Sequence, residues 1–442
     1  MSSLKFTQPT HWDTIAAHMT QGEGERFAFA FTRPLARRSR GPVLEVVGVE
    51  LIDDDEVCTD DTSCRLAETT LDRVHNMAVT TGCGLVEFHN HHLGPPGFSH
   101  TDETGLAPMA DYVTGLLPAR PYGAGVYSEG RVHVEYWNPT STGLVRAPFD
   151  SVIVIGDHLR LLNAQPPRVD SRLVRQTGYL GLCGTATLAH LRVALVGAGG
   201  TGSHIAVALA YLGVRQVSVF DDDEVEESNL NRLVTAGMAD LGAPKNLVAR
   251  RRIREVDTTL GAMALPGIHP MCASVELEDV DLIFGCVDHD GPRDRLNQLA
   301  FDTATPYIDV ATGIDLMTSP PTVGGRVVLI RPDGPCLHCL GELDSAEVGR
   351  WVKSSEQAAL DRAHGYGTPE ANPAVVHLNG IAAYAAIAEL VAWVSGHRPP
   401  AQYLDVDLSG TLARANASHG SRVTPRRPVP RAEGCFACGR RH

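Results

Sequence analysis

Several things are scarce or missing in this sequence, and each excludes a class of protein. No apolar run looks long enough to cross a membrane, and the mean hydropathy of −0.07 argues against a spanning segment. The start, MSSLKFTQPTHWDT, lacks the charged-then-apolar pattern of a signal peptide, which points to a cytoplasmic protein. Positive charge is in deficit. A formal net charge of −14 is the opposite of a nucleic-acid surface, although the tail from Arg422 to Arg441 is locally arginine-rich and reads as solvated or partner-facing. Cysteine is absent between Cys339 and Cys435, a gap that bears on the chemistry below.

What is present is enough for two folded domains. The 442 residues exceed one ordinary domain, and a hydrophobic content of 43% is ample for real cores. The chain is organised around VALVGAGGTGSHIAVALAYLGVRQVSVFDDDEVEESNLNRLVTAGMADLGAPK, which runs from Val193 to Lys245. A short apolar strand meets Gly197, Gly199, Gly200 and Gly202. An apolar helix follows to Leu212, and then a β-rich run closes on Asp221, Asp222 and Asp223. Glycines let a backbone approach a phosphate, and the helix that follows offers unpaired N–H groups and a positive dipole end. An acid at the tip of the next strand can hold ribose hydroxyls. Alone, this pattern also fits a nicotinamide or flavin dehydrogenase.

Beyond the acids come Asn229, Arg232 and Lys245, which bring cations where a dehydrogenase needs none. Attack at the α-phosphate of a triphosphate does need them. The stretch resembles the ThiF and ubiquitin-activating superfamily, which uses ATP to adenylate the C-terminal glycine of ubiquitin-like proteins. That resemblance implies Gly197, Gly199, Gly200 and Gly202 against the nucleotide, with Asp221 and Asp223 beside it. It also puts Asn229, Arg232 and Lys245 around the phosphates, and Asp288 of GCVDHDGPRDRLNQ in support of magnesium. In dimeric members an upstream arginine enters the partner's site; here it matches Arg175, which implies a homodimer.

The remainder alternates strands (Asp281 to Cys286, Thr305 to Val310, Gly325 to Ile330) with helices, so a mostly parallel, Rossmann-like α/β sheet is expected. Cys336-Leu337-His338-Cys339 and Cys435-Phe436-Ala437-Cys438 supply four thiolates, enough for a closed, structural zinc site. A redox CxxC is the rival reading. Family members with a catalytic cysteine carry it near the crossover segment between Ser345 and Ala374, where this chain has none. Cys272, Cys183, Cys58, Cys64 and Cys83 read as ordinary buried thiols and Cys286 as part of the nucleotide strand. The acyl group is therefore expected to pass to a separate conjugating enzyme or sulfur donor.

The first 160 residues carry a different cluster. A period-two strand at Arg26–Phe31 precedes Glu87-Phe88-His89-Asn90-His91-His92, then Gly94-Pro95-Pro96-Gly97-Phe98-Ser99-His100-Thr101-Asp102. Two histidines one residue apart on a strand point the same way, and a turn can bring an Asp back to them. Three N/O ligands leave a fourth position open, the form of a catalytic zinc site that would lower a water's pKa to about 7. The pattern resembles the JAMM (JAB/MPN) metallopeptidases, which cut after the terminal glycine of ubiquitin-like proteins. By that resemblance His89, His91 and Asp102 bind zinc and Ser99 stabilises the oxyanion. Glu25 is the general base, with Glu23 its competitor. One departure is His92, where the family usually has Pro.

The domain expectation is thus a JAMM-like α+β unit at 1–160, a proline-bearing linker at 164–170, and a ThiF-like unit at 171–442 with a four-cysteine zinc site. The resemblances imply ATP, magnesium and two zincs, one catalytic and one structural. The partner expected is a ubiquitin-like or sulfur-carrier protein, with no nucleic acid and no membrane. A rival of another class is a scaffold whose first domain only grips such a protein. Sulfur-carrier activation in cofactor synthesis and adenylation of a peptide in natural-product synthesis are rivals within enzymology.

Overall fold

The computed structural model describes residues 2–22, 24–35, 41–59, 64–92, 94–165, 171–267, 275–352, 373–409 and 422–439. The chain divides into two compact units, Met1–Gln165 and Pro166–His442. Glu23, Cys272, residues 166–170 of the linker and most of the crossover segment lie outside the described residues.

The first unit is built on one nine-stranded mixed sheet. Its centre pairs Val43–Leu51, Phe27–Pro34, Gly84–Asn90 and Tyr122–Ser128 in that order. Strand Phe27–Pro34 divides the unit by simple alternation: Ala28 and Ala30 enter one core, Phe29 and Phe31 the other. Helix Pro9–Met19 covers the first face with Trp12, Ile15 and Met19. Helices Glu68–Thr81 and His100–Leu116 cover the second with Val74, Ala78, Leu106, Ala110 and Val113. Phe27 pairs with His89 in antiparallel register, so His89 faces the same way as Phe27 and Phe29. The strand Gly84–Asn90 carries His89 within the sheet itself and ends one residue before His91.

The second unit holds an eight-stranded sheet of five parallel strands followed by three antiparallel ones, so the expected parallel sheet is extended by an antiparallel arm. Gly261–Leu265, Gln216–Phe220, Arg192–Val196, Leu282–Gly285 and Tyr307–Asp315 run parallel. Thr322–Ile330, Tyr403–Asp407 and Arg422–Pro425 then continue antiparallel. The arginine-rich tail is exposed over residues 423–430, in keeping with the solvated reading, yet it is also tied into the fold. Its first residues form the sheet's edge strand, and Arg426 is held by Asp405 at 2.6 Å with its guanidinium 3.9 Å over the Tyr403 ring. Local composition cannot reveal such a tertiary pairing.

One correction concerns apolar length. The helix Val376–Ser395 has 20 residues and a mean hydropathy of 1.4, long and apolar enough to cross a membrane by composition. However, 67% of that window is buried inside the fold, and Trp393 is wholly enclosed. It is apolar on nearly every side because it packs against helices Val174–His190 and Gly200–Leu212 and two strands of the sheet.

At the base of the sheet, Arg192 and Asp281 form a bidentate pair, at 2.9 and 2.7 Å, with the Asp281 side chain fully buried. The Arg192 backbone N–H donates to the same carboxylate at 3.1 Å, so the pair fixes the start of two adjacent parallel strands. Removing one partner leaves the other buried and uncompensated. Asp281→Ala is expected to destabilise this unit by about 3–5 kcal/mol, read as a lower urea midpoint for its transition alone. An unchanged midpoint would contradict the assignment.

Candidate functional site

In the second unit, the strand Arg192–Val196 is buried along its whole length and ends at Gly197, whose φ is +90°. Gly197 lies against the Cys286 carbonyl, 2.5 Å from where a Cβ would stand, and a Cβ at Gly202 would come 1.9 Å from the Gly197 oxygen. Only glycine fits either position. Helix Gly200–Leu212 follows with Gly199 as its N-cap and no side-chain cap. Its first N–H groups therefore stay available to an anion.

These residues open onto a cleft of ≈ 870 Å³. Gly197, Gly199, Gly200, Asp221, Asp223, Arg232, Lys245 and Asp288 all line it. Asp221 accepts the Ala198 N–H at 2.6 Å and the Asp223 N–H at 2.9 Å, and burial raises its carboxyl above the usual range. The Lys245 ammonium lies 2.8 Å from Asp223, whose side chain is exposed. Arg232 donates to the Ser228 carbonyl at 2.8 Å and to Asn231 Oδ1 at 3.1 Å.

Two of the expected nucleotide residues stand elsewhere. Gly202 packs beneath the turn and does not face the cleft. Asn229 is corrected from its phosphate role: it is buried, and its Oδ1 accepts the Glu226 N–H at 3.3 Å to close the 3-10 turn. Arg175 is exposed on helix Val174–His190, away from this chain's own cleft.

The far wall of the cleft carries no motif and was not foreseen. Thr312, Gly313, Gly324, Gly325 and Asp407 extend the cleft along the antiparallel strands, and Asn379 joins from the long helix. Arg293 alone lay within a recognised motif, the GCVDHDGPRDRLNQ stretch. It sits beside the buried Asp309, which also accepts from the Tyr307 hydroxyl at 2.6 Å. Cys286, the one cysteine in the cleft among the described residues, has its thiol pushed well up by burial and is no thiolate.

Four sulfurs gather near the sheet's end. Cys336 lies 3.7 Å from Cys339 and 3.6 Å from Cys435, and Cys339 lies 3.5 Å from Cys438. A tetrahedral zinc with bonds of about 2.3 Å requires sulfurs roughly 3.8 Å apart, so the four fit that ion. Burial works against ionisation of Cys435, yet backbone N–H groups of Cys438 and Ala437 outweigh it and bring the thiol to about 6.

In the first unit, His89 Nε2 and His91 Nε2 lie 3.3 Å apart, and Asp102 Oδ2 is 3.5 and 3.4 Å from them. Zinc bonds of about 2.0–2.1 Å at tetrahedral angles require donors roughly 3.3–3.4 Å apart, so these three fit as well. A capping box sets Asp102: Ser99 Oγ accepts the Asp102 N–H at 3.2 Å, and Asp102 accepts the Ser99 N–H at 2.6 Å. Burial would raise the Asp102 carboxyl, but the His89 imidazole and the Ser99 N–H hold it well below the usual carboxylate range.

Glu25 is exposed, next to the strand end whose Phe27 pairs with His89, and its charge is felt at His89. The departure at His92 has a structural use. Its Nε2 contacts the Gly24 carbonyl at 2.9 Å, and the Arg26 N–H donates to Asn90 at 2.6 Å, so the segment carrying Glu25 is tied to the histidine strand. Glu87, missed from sequence, shares the face of His89, and burial raises its carboxyl.

Together the second unit's cleft defines a nucleotide-binding α/β protein with a phosphate-cradling turn. The chain belongs to the ThiF family, which matches residues 172–436. It is 30% identical over 164 residues to the SAMP-activating enzyme E1 of Haloferax volcanii, covering 36% of this chain and 56% of that one. To the sulfur carrier protein ThiS adenylyltransferase of Escherichia coli it is 27% identical over 167 residues, 36% of this chain and 62% of that one. The chain thus spans about three fifths of the length of these relatives. A crystal structure of E. coli MccB aligns with a TM-score of 0.46 at 18% identity, over 63% of this chain and 75% of that one. Residues 1–171 lie outside the family match.

Elemental analysis of the full chain purified with zinc is expected to return two zincs per chain. His89→Ala should lose one, and Cys435→Ser with Cys438→Ser the other. A count that His89→Ala leaves unchanged would remove the first-unit site.

Proposed function

We propose that the second unit adenylates the C-terminal glycine of a ubiquitin-like or sulfur-carrier protein with ATP, and that the first unit is a JAMM-type zinc peptidase cutting after that glycine. The observation that carries the first part is the convergence of a bare helix N-terminus, Arg232, Lys245 and Asp288 on one cleft. The relatives' names favour the same chemistry, one activating SAMP and one adenylating ThiS.

In this reading a carboxylate oxygen attacks the α-phosphorus of ATP. The bond to the bridging oxygen breaks, and pyrophosphate leaves with the electron pair. Arg232 and Lys245 would take up the charge that develops on the phosphoryl oxygens, and the first N–H groups of helix Gly200–Leu212 would orient them. Asp288, with its side chain 89% exposed at the mouth, would support the magnesium that neutralises the phosphates. With no thiolate in the described cleft, the acyl-adenylate would pass to a separate conjugating enzyme or sulfur donor. A cytoplasmic homodimer, with Arg175 entering the partner's cleft, completes this reading.

For the first unit, the donor spacing of His89, His91 and Asp102 supports the peptidase reading. Zinc, when bound there, supplies Lewis acidity and an activated water. Glu25 would take the proton from the attacking water and return it to the leaving amine. The Ser99 hydroxyl, whose oxygen caps the helix, would donate its own proton to the scissile carbonyl oxygen. The two chemistries share a ligand, since cleavage exposes the carboxylate that adenylation consumes.

The test is intact mass spectrometry of a ubiquitin-like protein extended past its Gly-Gly, incubated with the full chain, zinc, magnesium and ATP. Loss of the extension followed by an AMP adduct is expected. Glu25→Gln should abolish the trimming and leave adenylation of a pre-trimmed substrate, and Arg232→Ala should do the reverse. An adduct only on pre-trimmed substrate, with the extension untouched by wild type, would remove the processing role.

A further inference from the structure

One polar side chain of the cleft has no task in the adenylation reading. Asn379 stands in the first turn of helix Val376–Ser395, is 3% exposed, and lines the cleft. Its Oδ1 accepts the Thr312 hydroxyl at 3.0 Å and the Thr201 hydroxyl at 3.5 Å. With that oxygen engaged, the amino end of the amide faces the opening. Its Nδ2 makes no hydrogen bond to any described residue. The residue is 3% exposed, yet Nδ2 is not among the enclosed unpaired side-chain atoms of the described residues, so it keeps access to the cleft, where a ligand or water completes it.

The position of that donor is informative. The amide lies on Gly200, where a Cβ would come 2.1 Å from Nδ2 and 3.2 Å from Arg232 Cδ. Gly200 opens the helix whose N-terminus faces the phosphate end of the cleft. Thr312, on the other side, belongs to the strand from which the cleft continues past Gly313, Gly324 and Gly325. Nδ2 therefore stands where the nucleotide end of the cleft meets its strand-walled arm.

We propose that Asn379 is a catalytic residue of the adenylation, its Nδ2 donating to the substrate's terminal carboxylate and aiming the attacking oxygen at the α-phosphorus. The proposal rests on the adenylation reading. A neutral donor suits this task because a charge-assisted bond to a guanidinium would be about twice as strong and would hold back the electron pair that must attack. The step balances without a further reactant. The carboxylate oxygen forms a bond to phosphorus, the bond to pyrophosphate breaks with its electron pair, and the amide keeps its protons.

The experiment is ATP–pyrophosphate exchange by the full chain, with the ubiquitin-like protein ending in Gly-Gly as acyl substrate. AMP-PNP affinity is measured beside it without the acyl substrate. Asn379→Ala should lose about 100-fold in kcat/KM for the protein substrate, while AMP-PNP affinity holds near wild type and Tm falls modestly, because the Thr201 and Thr312 hydroxyls lose their acceptor. Asn379→Asp preserves the shape and tests the donor directly. Its protonated form can donate, whereas its ionised form repels the carboxylate, so its exchange should recover relative to wild type as the pH is lowered.

Wild-type kinetics in Asn379→Ala would overturn the proposal. So would a loss carried by AMP-PNP affinity, which would make the amide a nucleotide contact, or an Asn379→Asp profile parallel to wild type. If the wild-type chain itself gives no exchange, the adenylation reading falls and takes this proposal with it.

Discussion

The close crossing of Gly197 and Gly202 governs the second unit. With Gly202 so near that a Cβ would meet the Gly197 oxygen at 1.9 Å, the helix Gly200–Leu212 starts directly against the end of the strand before it. Its N-terminus is thereby fixed in direction, and Asp221 locks the turn by taking the Ala198 N–H. Every other feature of the cleft is placed relative to this crossing. Arg232 and Asn379 both approach Gly200, and only the missing Cβ leaves them room. A methyl group at Gly202 would push the helix off the strand, and at Gly200 it would displace the amide.

In the first unit the comparable constraint is register. The pairing of Phe27 with His89 puts the two aromatic residues Phe29 and Phe31 and the ligand His89 on one face. A slip by one residue would bury Ala28 and Ala30 on that side and turn His89 away from Asp102. The cores that reward correct burial of the phenylalanines therefore also assemble the three donors. The loop to Asp102 closes through the Ser99 capping box, so ordinary helix-end physics supplies the third ligand.

Local periodicity and motif spacing made much of this legible. The glycine turn, the acids after Gln216–Phe220, the two CxxC hooks and the HxH strand are all features of short sequence range, and the structure brings each set together. What escaped was long-range. Asn379 reaches Thr201 across 178 positions, and no local pattern marks it apart from any Asn in an apolar helix. Tyr403–Asp407 and Arg422–Pro425 are short strands, and the edge strand has the composition of a charged tail until it is paired. Asn229 failed for the opposite reason: a residue type suited to phosphate is equally suited to closing a turn, and the turn was nearer.

The charges in the cleft also differ in what they are free to do, which a motif cannot express. Arg293 and Arg326 flank the buried Asp309, and Arg326 also meets Glu342 at 3.2 Å. Arg426 is held by Asp405 and Glu342. These three arginines line the cleft but are already neutralised, two of them by a carboxylate that cannot leave its burial. Lys245 shares its charge with Asp223, an exposed partner that holds it weakly. Arg232 alone among the described lining cations pairs with neutral oxygens only, those of Ser228 and Asn231. Its full positive charge therefore remains available at the glycine turn, and a polyanion entering the cleft meets its strongest unpaired attraction beside Gly200, where the helix N-terminus and the Asn379 amide also converge.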